Sequence, residues 1–79
     1  MDYSTVIKKI RNELGVSQQG FAAMLHLSFS TINRWENGRA KPNRLATVTI
    51  LSLAEERQVP NELIEKLSKL SGNDCNMHV

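Results

Sequence analysis

Two serines eleven positions apart, Ser17 and Ser28, each stand just before a run whose apolar residues recur at helical spacing. Serine is a favoured N-cap, because its hydroxyl accepts a backbone N–H that the first turn of a helix leaves unpaired. After Ser17, the residues Phe21, Ala22 and Leu25 share one side of a helix of about two turns. After Ser28, Ile32 and Trp35 do the same before Asn37 and Gly38 end the run. Only the turn around His26 separates the two. A stretch punctuated this way has room for two short helices and a tight turn, and no strand alternation competes with that reading.

The rest of the chain has the same period. In YSTVIKKIRNEL, Tyr3, Val6, Ile7, Ile10 and Leu14 fall on one helical face. Gly15 then supplies a left-handed stop at about Leu14, with Val16 placed to fold back on Ile10. Beyond the basic loop, Pro42 and Asn43 introduce LATVTILSLAEE, where Leu45, Val48, Leu51 and Ala54 (or Leu53) are expected to form the buried stripe. Pro60 suits the first turn of a fifth helix with an apolar face of Leu63, Ile64, Leu67 and Leu70, stopped by Gly72. Leu63 and Leu67 read as core, while Ile64 and Leu70 fit either the core or a dimer seam. The expected architecture is all-α: five short helices in one domain over residues 1–70, followed by a tail at 71–79.

With 79 residues, 41% of them hydrophobic and 23% charged, the chain is of globular composition and can bury only a modest core. It has no apolar run long enough for a membrane span and no signal-peptide core at MDYSTVIKK, so a cytoplasmic location without membrane contact is expected. The single Cys75 cannot form an internal disulfide. It reads as a tail thiol and not as a metal site with Asp74 and His78, and no metal or cofactor is expected. An enzyme fits poorly: there is no glycine-rich phosphate loop and no metal-ligand spacing, and the core is too small to enclose a substrate. The net charge is only +2, but Arg34, Arg39, Lys41 and Arg44 fall within eleven residues that contain one acid, Glu36. Such a local basic patch beside a helix suits an acidic polymer.

Two short helices joined by a three- or four-residue turn match the helix-turn-helix unit, whose second helix lies in the DNA major groove. The residues are more specific than the geometry. QQGFAAMLHLSFSTINRW closely resembles the helix-turn-helix of Cro and the phage repressors, in which Phe21, Leu25, Leu27, Ile32 and Trp35 would lock the helices together and Ala22 would be small because helix 3 crosses near it. Arg11, VSQ at 16–18 and WENG at 35–38 extend the likeness over roughly residues 4–56. The resemblance implies a compact lambda-repressor-like bundle. One departure stands out: His26 occupies the turn position where that family usually has glycine, a position that commonly needs positive φ.

With Ile32 and Trp35 facing inward, rotation by about 100° per residue places Phe29, Ser30, Asn33 and Asn37 on or near the outward face, with Arg34 at its side. Asparagine can bond adenine N6 and N7 together, serine is adaptable, and a phenylalanine can lie on a thymine methyl group. Phe29, Ser30, Asn33 and Arg34 are therefore the expected base readers, Asn33 foremost. The backbone contacts are assigned to Gln18, Ser28, Asn37, Arg39, Lys41 and Arg44. For Gln18, at the start of helix 2, the phosphate contact is what the resemblance implies. The resemblance also implies that Arg11 pairs with Glu36, a carboxylate that otherwise opposes the dipole at its helix C-terminus.

The expected function is sequence-specific binding of double-stranded DNA by a transcriptional regulator, with repressor-like action favoured. The alternative is an antitoxin-like or adaptor module of the same fold that uses helix 5 to hold a protein, with DNA binding secondary. A homodimer, reading half-sites about 34 to 36 Å apart, and a fused or separate regulatory partner both stay open.

Overall fold

The computed structural model describes residues 2–72. Five helices follow one another: α1 (Tyr3–Leu14), α2 (Gln18–Leu25), α3 (Phe29–Glu36), α4 (Arg44–Glu56) and α5 (Asn61–Gly72). No strand forms among the described residues. Helix α1 packs on α3 and α5, α4 packs on α5, and α2 packs on both α3 and α4. Val6, Ile7, Ile10, Phe21, Ile32, Ile50 and Leu67 are fully enclosed between them. The segment carrying Asp74, Cys75 and His78 lies outside the described residues, while α5 itself continues past Leu70 to Gly72.

The starts of α1 to α4 each have a short polar side chain on a free N–H. Asp2 accepts from Thr5, Ser17 from Gly20, Ser28 from Thr31 and Asn43 from Ala46. Asp2 lies directly before Tyr3, the first residue of α1. The bond from the Thr5 amide, with further ones from the Thr5 and Ser4 side chains, holds its carboxyl below the usual range. Pro60 stands just before α5 and not within its first turn. Its carbonyl accepts from Leu63 and Ile64, at 3.0 and 3.4 Å.

The helix ends share one device. At Gly15, His26, Gly38 and Gln58 the backbone is left-handed, with φ of 73°, 59°, 74° and 61°. Each of these residues donates to a carbonyl three back, and the residue after it donates to one five back. This is the Schellman arrangement, which satisfies carbonyls that the last turn leaves open. At α1 the pair is Gly15 to Asn12 at 3.0 Å and Val16 to Arg11 at 3.5 Å; at α2 it is His26 to Ala23 at 3.2 Å and Leu27 to Ala22 at 2.9 Å. Gln58 carries no glycine signal, so the fourth stop was not legible.

Two apolar assignments, in α4 and at Leu27, differ from expectation, and packing decides one in α5 that periodicity left open. In α4 the buried residues are Thr47, Ile50 and Ala54; Leu51 and Leu53 are half-buried, and Leu45 and Val48 are 76% and 52% exposed. Two stripes, 45/48/51 and 47/50/54, both have helical spacing, so periodicity could not choose between them. Packing selects the one with Thr47, whose hydroxyl is satisfied by the Asn43 carbonyl at 2.9 Å. Leu27 was expected to lock α2 to α3, but the left-handed turn at His26 carries it to the rim, where it is 38% exposed. In α5, Ile64 joins Leu63 and Leu67 in the core, and Leu70 faces outward.

Truncating Ile50 to Ala should cost about 2 to 5 kcal/mol in urea unfolding, whereas Leu45→Ala should cost well under about 1 kcal/mol. Equal losses would contradict this register of α4. His26→Gly should raise the unfolding free energy by about 1 kcal/mol by relieving the left-handed backbone.

Candidate nucleic-acid interface

Helix α3 is short because Ser28 opens it and Gly38 turns it out. Its inward anchors, Ile32 and Trp35, are buried against α1 and α2. The opposite side is open: Phe29 is 48% exposed, and Ser28, Ser30, Arg34 and Asn37 are exposed with it. The Ser28 hydroxyl is committed locally. It accepts from the Thr31 amide at 3.3 Å and lies 2.9 Å from the Thr31 hydroxyl and 3.3 Å from that of Ser30. This triad ties the first turn of α3 together, and it leaves Phe29 projecting beside it.

Arg34, Arg39, Lys41 and Arg44 are all exposed. Among the described residues the sole ion pair is Arg11–Glu36, so none of these four cations is neutralised by a neighbouring acid. They run from the last turn of α3 through the loop to the first residue of α4. Gly38 makes that course possible. Its left-handed φ lets Arg39 bond back to the Arg34 carbonyl at 2.9 Å, reversing the chain within two residues.

Glu36 is only 5% exposed. Arg11 donates Nε to its Oε2 at 2.7 Å and Nη2 to its Oε1 at 3.2 Å, a two-point geometry that suits a guanidinium and a carboxylate. A third guanidinium nitrogen, Nη1, donates to the Val16 carbonyl at 2.9 Å. One side chain on α1 thus holds both the end of α3 and the segment leading into α2.

Gln18 sits elsewhere than a purely phosphate-facing role would require. It is half-buried, its Nε2 donates to Glu36 Oε1 at 2.9 Å, and its Oε1 accepts from Asn33 Nδ2 at 3.2 Å. Asn33 is also half-buried, and its Oδ1 accepts from Asn37 Nδ2 at 3.0 Å. Each amide keeps unused valences, since Gln18 and Asn33 each retain one N–H. Sequence reasoning placed these residues on one surface but did not link them. Only the crossing of α2 over α3 brings positions 18 and 33 into contact.

A short two-turn helix, a tight turn and a second helix with an apolar inner side and a polar, cation-flanked outer side define a helix-turn-helix domain. Residues 7–45 match the helix-turn-helix family model. The likeness to Cro and the phage repressors rests on the same stretch. Antitoxin HigA-2 of Vibrio cholerae serotype O1 is 43% identical over 49 residues, which make up 62% of this chain and 46% of that protein. The chain therefore spans less than half the length of the curated relative it matches. No solved structure matches the chain. No helix among the described residues is long and apolar enough to cross a membrane, and no group of potential metal ligands is found among them.

Arg11→Met should lower stability by about 3 to 5 kcal/mol, because it strands a buried carboxylate. Thermal unfolding with the Arg11→Met and Glu36→Gln single variants and their double variant checks this. A double variant no better than the sum of the singles would show that the two side chains do not act as a pair.

Proposed function

We propose that this protein is a sequence-specific regulator that lays α3 in the major groove of double-stranded DNA and acts as a repressor. The observation that carries the reading is the division of α3 into a buried anchor, Ile32 and Trp35, and an open outer side flanked by four unneutralised cations. Phe29, Ser30, Asn33 and Arg34 are the base readers in this reading. Asn33 uses its spare N–H and its spare oxygen lone pair together on an adenine edge. Arg39, Lys41 and Arg44 follow the phosphates on the C-terminal side. Gln18 offers its remaining N–H to a phosphate at the start of α2, where the free backbone N–H groups favour the same anion. Ser28 and Asn37 flank the reading surface at its two ends. Binding as a homodimer would set two such surfaces one helical turn apart. No step in this reading is catalytic, and a cytoplasmic site of action fits it.

A second reading has its own support. The relative is named as an antitoxin, a kind of protein that suits a protein partner, and Leu27, Leu45 and Val48 are exposed large apolar residues. Leu27 and Leu45 border a cleft of about 290 Å³ with Leu25 and Trp35. The apolar side of α5 offers less, because Leu63, Ile64 and Leu67 are already buried. In this reading the partner docks beside α4 and DNA binding is secondary.

Selection of bound duplexes from random sequence, followed by titration in rising salt, separates the two. With about four cations meeting phosphates per monomer, log K should fall against log salt with a slope on the order of −3 to −4. Asn33→Ala should relax preference at one base position, and Arg39→Ala should weaken all duplexes alike. A flat salt response without sequence preference would remove the DNA-reading assignment, and a protein complex surviving high salt would favour the second.

A further inference from the structure

The polar chain that starts at the Arg11–Glu36 pair has a direction. A carboxylate only accepts hydrogen bonds, so the Gln18 atom 2.9 Å from Glu36 Oε1 must be the amide nitrogen. That turns Gln18 Oε1 toward α3, and an oxygen there demands a donor, which is Asn33 Nδ2 at 3.2 Å. Asn33 Oδ1 consequently faces the other way, toward Asn37. The far end of the chain imposes the same sense independently. Asn37 Nδ2 donates to the Asn33 backbone carbonyl at 2.9 Å as well as to Asn33 Oδ1 at 3.0 Å, and a backbone carbonyl can only accept. A charged acceptor at one end and a main-chain acceptor at the other therefore agree on one orientation of the Asn33 carboxamide.

We infer that Gln18 and Glu36 are positioning residues for base discrimination: through them the buried ion pair locks the Asn33 amide in one sense, so that it presents a donor and an acceptor in fixed order. This rests on Asn33 being a base reader, as proposed above. An asparagine free to turn its amide over can put nitrogen or oxygen toward a given base atom. A locked one cannot. Adenine offers an acceptor at N7 and a donor at N6, which a fixed donor–acceptor pair satisfies twice. Guanine offers acceptors at both N7 and O6, so the locked Oδ1 would face another oxygen. The lock thus turns a tolerant amide into one that selects A·T over G·C at its position. It also accounts for the half-buried placement of two amides on a surface whose other polar residues are exposed.

The test uses Gln18→Leu, which breaks the chain while leaving Arg11 on Glu36. A circular dichroism spectrum and melting curve first establish that the variant is folded. Wild type, Asn33→Ala and Gln18→Leu are then titrated at one salt concentration against the selected duplex and against duplexes substituted singly at each base pair. Wild type should prefer adenine over guanine at one position by about tenfold or more. Asn33→Ala should abolish that preference, and Gln18→Leu should reduce it to about threefold or less at that position alone. If Gln18→Leu instead weakens every duplex by the same factor and the adenine preference survives, the lock is wrong while Asn33 remains a reader. If Asn33→Ala leaves the selected sequence unchanged, the reading of Asn33 itself fails, and the inference with it. Side-chain amide NMR of the free protein gives a check that needs no DNA. Asn33 should show one conformer with an Nδ2 proton beside Gln18, and an amide averaged between two orientations would overturn the lock.

Discussion

Glu36 stands in the last turn of α3, where the peptide dipoles leave partial negative charge and almost no water reaches its carboxylate. Placed there alone it would be among the most costly groups in so small a domain. Three donors compensate it, two from the Arg11 guanidinium and one from Gln18. Because Arg11 comes from α1 and Gln18 from α2, satisfying this one charge requires three helices to meet. The remaining guanidinium nitrogen on the Val16 carbonyl then fixes how the chain leaves α1. The angle at which α3 is presented follows from that junction.

The second constraint is size. With so modest a core, each helix is too short to be stable alone, and much depends on how the ends are closed. Four stops built on a left-handed residue serve this purpose, and three of them place an apolar residue next: Val16, Leu27 and Val59. Val59 is buried by this means and Val16 packs on the core, but Leu27 is left at the rim. The left-handed backbone at His26 and Gln58 is a strain that these closures and the surrounding packing sustain.

Much of the fold could be read before any coordinates. Serine caps, Gly15 and Gly38 mark ends by local chemistry, and the single apolar stripes of α1 and α3 leave one choice of inner face. Helix α4 resisted because it is apolar on two sides, so its spacing admits two registers and only packing selects Thr47 and Ile50. Gln58 resisted because nothing in a glutamine announces a left-handed backbone. On the outer side of α3, the exposed placement of Phe29, Ser30 and Arg34 follows directly from the burial of Ile32 and Trp35. The partners of Asn33 do not, since they are set by a contact between two helices.

The sequence by itself determined where α2 and α3 start, where α1 and α3 stop, which side of α3 is anchored and where the cations gather, because capping, turn chemistry and periodicity act within a few residues. The tertiary structure alone decided which stripe of α4 is buried and how the amides of Gln18, Asn33 and Asn37 are turned. Those depend on groups far apart in the chain. A hydrogen bond has a sense, and that sense is set here by a carboxylate whose place in the core only the packing of α1, α2 and α3 defines.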